Sequence, residues 1–491
     1  RRLMSSSRES VPAPGYLLEH GGLEELADLF GEEWPDVEWN VRYFRELDPE
    51  EFFLRFDRNG RLVRWRHDVL NEAEGAELER DAALALAEEE LTRTHGVDLT
   101  REELTTERLT QREQRRDYRF VFERKDFGWG EAKLRTGISV QGDEPVRFWK
   151  SVKVPETWQL DREKSGWRQL ITDEVRSVVD LLHGGGLLVL IVIVIGRRLV
   201  PWRAAFVGGL VPLALELIGS ANELPWFFSG YDTAKPLAGF VARELVSEMT
   251  GAVMAYLGGV LTVGMSLGFL RWGFGLGWRD LLAVSPVAGG KWRSAVNLVV
   301  IVAGSVLAFE LLSFGRNLVA GHFLPSWVAH YGSWSVRESV LWLDGLVGAL
   351  SSAFSSTLAA AMWFGVLGVV WRWSRVAAVV LGCFYPLVGA LGADSWAEFA
   401  YRVGSEELEW LMLVGLVLWV WRADGVLVFT VYFLKGLAGY AESLWENGGP
   451  AYQWEAWILA GIGVMTLGAV VGWRVGGWRS RGKLSSERAI D

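Results

Sequence analysis

The sequence predicts a mainly α membrane protein, a polytopic helical bundle of about nine spans with an N-terminal extramembrane α+β domain. Two observations predict it. The 491 residues change character near position 175, from charged, turn-rich sequence to long apolar runs rich in Gly and Trp. Most of those runs approach the ~20 helical residues that cross a hydrocarbon core of about 30 Å. The chain thus divides into an extracytoplasmic domain over 1–175, a bundle over 176–478 and a cytoplasmic tail over 479–491.

Composition narrows the partners. The net charge of −10 comes largely from the Glu-rich first third. No basic run is present to neutralise phosphates, which excludes nucleic acid. Cys383 is the only cysteine, so the chain holds neither a disulfide nor a Cys-based zinc site, and the thiol reads as a small buried hydrophobe.

In the first third, Gly22–Phe30 is a short helix candidate, followed by strands over Val37–Leu47, Glu51–Phe56 and Arg61–His67. Asp57-Arg58-Asn59-Gly60 is the hairpin turn between the last two, since Asn and Gly tolerate positive φ. Glu77–Thr94 is a helix with Leu78, Ala82, Ala85 and Leu86 on its apolar side, stopped by Gly96. Strands over Tyr118–Arg124, Glu131–Gln141 and Val146–Val154 follow, with Ala132, Leu134, Thr136 and Ile138 on one face and a turn at Gly142-Asp143. A linker helix begins at Pro155–Trp158. Helix plus antiparallel sheet, used twice, predicts a helix packed on each of two sheets. His20, His67 and His95 sit at unrelated spacings, and Glu88-Glu89-Glu90 reads as a solvated helix face.

The spans fall near 178–196, 204–221, 238–270, 295–314, 340–371, 376–393, 409–421, 425–444 and 457–474. Basic residues gather on cytoplasmic loops. Alternate connections, including Arg197, Arg271, Arg372, Arg422 and the tail, hold fifteen basic residues, whereas the others hold four: Lys235, Arg316, Arg337 and Arg402. The N-terminal domain is therefore expected outside and the C-terminus in the cytoplasm. The chain starts at Arg1, and a domain of this size does not cross unaided, so an upstream signal or tenth span is expected. Trp residues at both sets of span ends form interfacial belts.

Charge at membrane depth is costly and marks a polar interior, a helix pairing or a watered interface. The candidates are Glu216, Arg243, Glu244, Glu248, Glu310, Asp344 and Lys435. Glu244 and Glu248 share a helix face, and Arg243 and Lys435 are the available counter-charges. Structural pairing near the outer interface is the reading for 243–248 and for His183; a proton or ion path is the functional alternative.

Two resemblances are legible. The helix and the strands meeting at the Asp57–Gly60 turn resemble a PepSY-like module, a class thought to bind or inhibit peptidases. The block EAKLRTGISVQGDEPVRFWKSVKVPETW at 131–158, NELPWF at 222–227 and Gly230-Tyr231-Asp232-Thr233-Ala234 resemble bacterial CPBP proteins, the CAAX-protease-like or abortive-infection intramembrane metalloproteases. The resemblance covers most of the chain. Such proteins use Glu-Glu-x-x-x-Arg on one helix and a His on each of two others, a donor set that holds a metal and activates water. Here the resemblance places that motif on Ser355, Ser356 and Ala360, and the second His on Tyr432; the first His would fall within 383–391, which has none. What the resemblance implies is a bacterial inner-membrane shell without metal ligands, cofactor or catalytic residues. It would act as a binding, scaffold or accessory subunit in contact with the bilayer and a membrane-protein partner. Two alternatives stay open: a metalloprotease with an atypical site at Glu244, Glu248 and the outside histidines His322 and His330, or a transporter or proton-conducting module built on Glu216, Glu310 or Asp344.

Overall fold

The computed structural model describes residues 2–7, 16–17, 20, 38–57, 60–163, 167–277, 291–323, 335–336, 340–379, 381–382, 393, 396–420, 424–446 and 450–487. They form two compact units. One comprises Arg1–Lys164, Glu223–Ser247 and Ala320–Ser339; the other comprises Ser165–Asn222, Glu248–Val319 and Val340–Asp491.

The first unit is built on a single antiparallel sheet. Its strands are β1 (Arg2–Ser7), β2 (Glu38–Arg45), β3 (Asp48–Phe56), β4 (Leu62–Asp68), β5 (Glu102–Gln111), β6 (Arg116–Arg124), β7 (Lys133–Gln141), β8 (Glu144–Lys153) and β9 (Ser335–Val336). The order is β5-β6-β7-β8-β4-β3-β2-β1-β9. The six predicted strands are present. The two predicted sheets are one, because β4 pairs with β8 through Trp65↔Phe148 and Arg66↔Arg147. That pairing satisfies two edges that would otherwise stay open. Strands β1, β5 and β9 carried no sequence expectation; β5 is polar along its length and lies at the edge of the sheet, where only one side is paired.

Helix α1 (Arg80–Arg93) packs on one face of this sheet. It buries Ala83, Ala87 and Leu91 against Phe120, Phe122, Ile138, Val140 and Phe148. The predicted apolar side is thus rotated: Ala82 and Ala85 are exposed, and Leu78 and Leu86 are only partly buried. Positions 83, 87 and 91 recur every four residues, and the two alanines let the helix approach the aromatic sheet. Gly96 (φ +61°) and Gly142 (φ +61°) sit in left-handed turns at the predicted stops. At the Asp57 turn, Gly60 N–H donates to the Asp57 carbonyl at 3.0 Å. The linker helix is α2 (Glu156–Glu163). The candidate helix Gly22–Phe30 lies outside the described residues.

Arg115, which drew no attention in the sequence, is fully buried between β5 and β6. It donates to Asp117 at 2.8 Å, to the carbonyls of Leu70 and Ala73 at 2.8 and 3.1 Å, and to Gln141 at 3.2 Å. A buried guanidinium with this many acceptors ties the loops to the sheet.

The second unit is helical. Its elements are α3 (Trp167–Gly196), α4 (Trp202–Asn222), the C-terminal part of α5 (Leu237–Phe274), α6 (Lys291–Phe323), α7 (Leu341–Trp373), α8 (Trp396–Gly415), α9 (Gly425–Glu446) and α10 (Pro450–Glu487). Among the described residues, five stretches are long and apolar enough to cross a membrane: Trp202–Asn222, Leu237–Phe274, Ala295–Ala320, Leu341–Trp373 and Tyr452–Arg474. Most of the predicted sixth span lies outside the described residues. The predicted seventh, 409–421, begins instead at Trp396 and carries Glu398, Arg402, Glu406 and Glu409 into the helix; its last turn widens to a π-helix over Leu416–Val420. Arg316 and Arg402, expected in loops, are both helical.

Helix α7 is the packing centre of this unit. A Cβ on Gly345 would fall 2.7 Å from Leu459 of α10, and one on Gly436 of α9 would fall 3.0 Å from Ala349. A Cβ on Gly365 would fall 2.7 Å from the Phe269 backbone of α5. Small residues allow this approach where burying apolar surface gives no drive between helices. The N-terminus of α7 is satisfied from other helices. Asn222 accepts from Val340 N–H at 3.0 Å and donates to its carbonyl at 2.9 Å, while the Glu455 carboxylate accepts from Trp342 N–H at 2.9 Å.

Candidate functional site

In the helical unit a charged cluster is assembled by α6, α8 and α9. Its floor is apolar: Leu298, Val302 and Phe309 of α6 pack against Val417, Leu427, Val428 and Val431. Glu409 of α8 accepts from Arg316 of α6 at 2.6 Å through one oxygen, and its other oxygen lies 3.8 Å from Lys435 Nζ of α9. Lys435 Nζ also stands 4.5 Å from the centroid of the Phe309 ring, a cation–π distance. Tyr401 Oη donates to the Arg316 carbonyl at 3.2 Å, and Arg402 pairs with Glu398 one turn away on α8. Arg316, Glu409 and Lys435 each keep about a third of their side-chain surface exposed. One carboxylate bridging two cations offsets half of a charge that would otherwise be costly among apolar helices. Of these three residues the sequence singled out only Lys435. The signal for Arg316 was its place within the apolar stretch Ala295–Ala320.

The other predicted residues are not brought together. Arg243 Nε donates to its neighbour Glu244 at 3.0 Å, while Glu248 accepts from Ser220 at 2.6 Å. Of the two expected counter-charges, Arg243 pairs with Glu244, whereas Lys435 faces Glu409. Glu216 is exposed on α4, Glu310 is half-buried on α6, and Asp344 is half-buried in the first turn of α7. Ser355 is exposed and donates to the Ser352 carbonyl at 3.1 Å, Ser356 is half-buried, and Ala360 is buried. Tyr432 stands 5.8 Å from the Phe309 ring, beside the charged cluster. His330 and Cys383, and the side chains of His183 and His322, lie outside the described residues. Among the described residues, no group of three or more His, Cys, Asp or Glu is arranged to hold a metal ion.

No family model, curated protein or solved structure matches this chain. The likeness to CPBP proteins therefore rests on the sequence blocks alone.

One of those blocks, Gly230–Ala234, is held by strands of the sheet unit. Arg42 of β2 forms a two-point ion pair with Glu51 of β3, at 2.7 and 2.8 Å. Its remaining donors reach the carbonyls of Ser229 and Tyr231 at 3.1 and 2.9 Å, and Thr233 Oγ1 donates to Glu51 at 2.7 Å. The Gly230–Ala234 stretch is thereby pinned to the sheet by a largely buried pair. Nearby, His67 lies between Glu50 and Glu144, at 2.8 and 3.0 Å, and stacks on Phe52. A cavity of about 320 Å³ beside them is lined by Tyr43, Arg45, Asp48, Glu50 and Phe52. His95 is different: its ring is buried against Phe148 with centroids 3.6 Å apart and accepts from Trp65 Nε1–H at 3.3 Å. Burial pushes its pKa down to about 4, with neighbouring Glu90 opposing.

Proposed function

We propose that this chain is a non-catalytic, CPBP-like integral membrane protein that serves as a binding, scaffold or accessory subunit of a membrane complex. In this proposal nine spans cross the membrane, the sheet unit lies outside and the C-terminus is cytoplasmic. The observation that carries the reading is on α7. The positions where the resemblance expects Glu, Glu and Arg hold Ser355, Ser356 and Ala360, and the glycines of the same helix, such as Gly345 and Gly365, lie in close contact with neighbouring helices. Isolation of the full chain in mild detergent tests it. A membrane protein co-purifying at fixed stoichiometry, without zinc and without proteolysis, is the expected result. Stoichiometric zinc together with peptide cleavage abolished by Glu248→Ala would replace the proposal with the atypical protease.

A second reading, a proton or ion route, is favoured by the one-third exposure of Arg316, Glu409 and Lys435. It requires proton flux in liposomes that Glu409→Gln removes.

A further inference from the structure

The sheet unit holds a row of arginines that strand register alone assembles. Reading across the strands, Arg108 stands opposite Arg119, Arg119 opposite Ser139, Ser139 opposite Arg147, and Arg147 opposite Arg66. The row continues through Phe53 to Arg42. The adjacent row, Phe120–Ile138–Phe148–Trp65, packs against α1. Successive residues of a strand point to opposite faces, so the arginines occupy the face away from the helix.

Two features separate this row from ordinary surface charge. Arg108 faces Arg119 and Arg147 faces Arg66 directly, and like charges placed opposite each other destabilise an antiparallel pair. Neutralisation from within is also incomplete. Arg66 has Asp68 at 2.9 Å and Arg42 has Glu51; Arg147 meets Asp68 only as a more distant opposing charge, and among the described residues Arg108, Arg119 and Arg147 have no carboxylate within 4 Å. Arg119 and Arg147 instead lie over the Trp149 ring, at 5.4 and 5.1 Å. Burial, with Arg119, Arg66 and Arg64 nearby, holds the Arg147 guanidinium below its ordinary pKa. The domain keeps a local repulsion that a single Gln would relieve.

We propose that this row is a docking strip for an acidic, extended segment of a partner polypeptide. The guanidinium groups of Arg119 and Arg147, both near the Trp149 ring, offer paired N–H donors, which suit carboxylates. From Arg108 to Arg66 the strip crosses four strand spacings, about 19 Å, the reach of about six extended residues. A sheet that turns by roughly 20–25° per strand offers a twisted face, which a flexible chain follows and a flat bilayer meets only in part. The surrounding negative charge of the protein disfavours long polyanions such as nucleic acid. The inference goes beyond the proposed function and holds whether or not the helical unit is catalytic.

Fluorescence anisotropy of a labelled oligo-glutamate of about eight residues, with the full chain in non-ionic detergent, tests it. Saturable binding is expected at low ionic strength, weakening as salt is added. The triple variant Arg108→Gln, Arg119→Gln, Arg147→Gln should bind about tenfold more weakly or worse, yet melt no lower than the parent chain. Should the triple variant misfold, Arg119→Gln alone, at an exposed position, must still weaken binding. Unchanged affinity in the variants or no binding to the parent chain overturns the proposal. So does arginine-dependent binding to phosphatidylglycerol vesicles without binding to the peptide.

Discussion

Acidification should loosen the sheet unit through His95. In the folded protein this ring is buried on Phe148, takes a hydrogen bond from Trp65 and titrates at about 4. In the unfolded chain it titrates near 6.5. A histidine whose folded pKa is depressed contributes stability fully above its unfolded pKa and loses it as pH falls towards the folded value. The window is therefore from about 6.5 down to about 4. The gap corresponds to about 3 kcal/mol when complete, of which about 2 kcal/mol is lost between pH 7 and pH 5. The variant His95→Gln removes the titration while keeping an acceptor for Trp65. Hydrogen exchange of peptides from β6 to β8, corrected for intrinsic rates, measures opening of this sheet in both proteins. The parent chain should lose about 2 kcal/mol more protection than the variant over that pH range. Equal losses in the two proteins would refute the reasoning, because other groups would then carry the acid sensitivity.

Other perturbations have equally definite outcomes. Asp424 caps α9 through Val426 and Leu427 N–H, at 3.1 and 3.2 Å, and pairs with largely buried Arg474. Asp424→Ala should cost about 3–5 kcal/mol by leaving that guanidinium uncompensated, read as a lower melting temperature; Asp424→Asn should cost less because it keeps the cap. Gly365→Ala should lower the melting temperature by an amount equivalent to about 1–3 kcal/mol, since its Cβ meets the Phe269 backbone. Gly461→Ala, whose Cβ would meet nothing within 4 Å, should leave it unchanged or raised. In the sheet unit, Arg42→Ala should destabilise by about 3–5 kcal/mol, and Arg42→Lys should recover little, because a lysine lacks the fork that holds Glu51 and the loop carbonyls together. Faster proteolysis around 228–233 would report that loss.

Periodicity and punctuation carried much of the fold. Alternation at Leu134, Thr136 and Ile138, the glycines at 60, 96 and 142, and the apolar runs each fix local structure through steric and hydration effects within a few residues. They located six strands, one helix and most long helices without tertiary information. They placed the apolar face of α1 incorrectly because alanine is permissive, and a stripe through Ala82 and Ala85 differs little from one through Ala83 and Ala87 until a sheet selects one. They missed β5 because it is mostly polar and exposed and is held at the sheet edge by its pairing with β6.

The sites were less legible for a related reason. Glu244 and Glu248 share a face by spacing, yet one serves Arg243 and the other Ser220, since partners come from whichever side chains the helices bring near. Glu409 stood at the start of the predicted span 409–421 and drew no attention until α6 and α9 supplied Arg316 and Lys435. On its own the sequence determined composition, its change of character near position 175 and the apolar lengths that suit a bilayer, whereas the compact units divide at Lys164 with 223–247 and 320–339 joining the first. Only tertiary structure decided that two expected sheets are one, and that arginines scattered from 66 to 147 stand side by side. Their charge is a local property, but their adjacency depends on strand register, which long-range pairing sets.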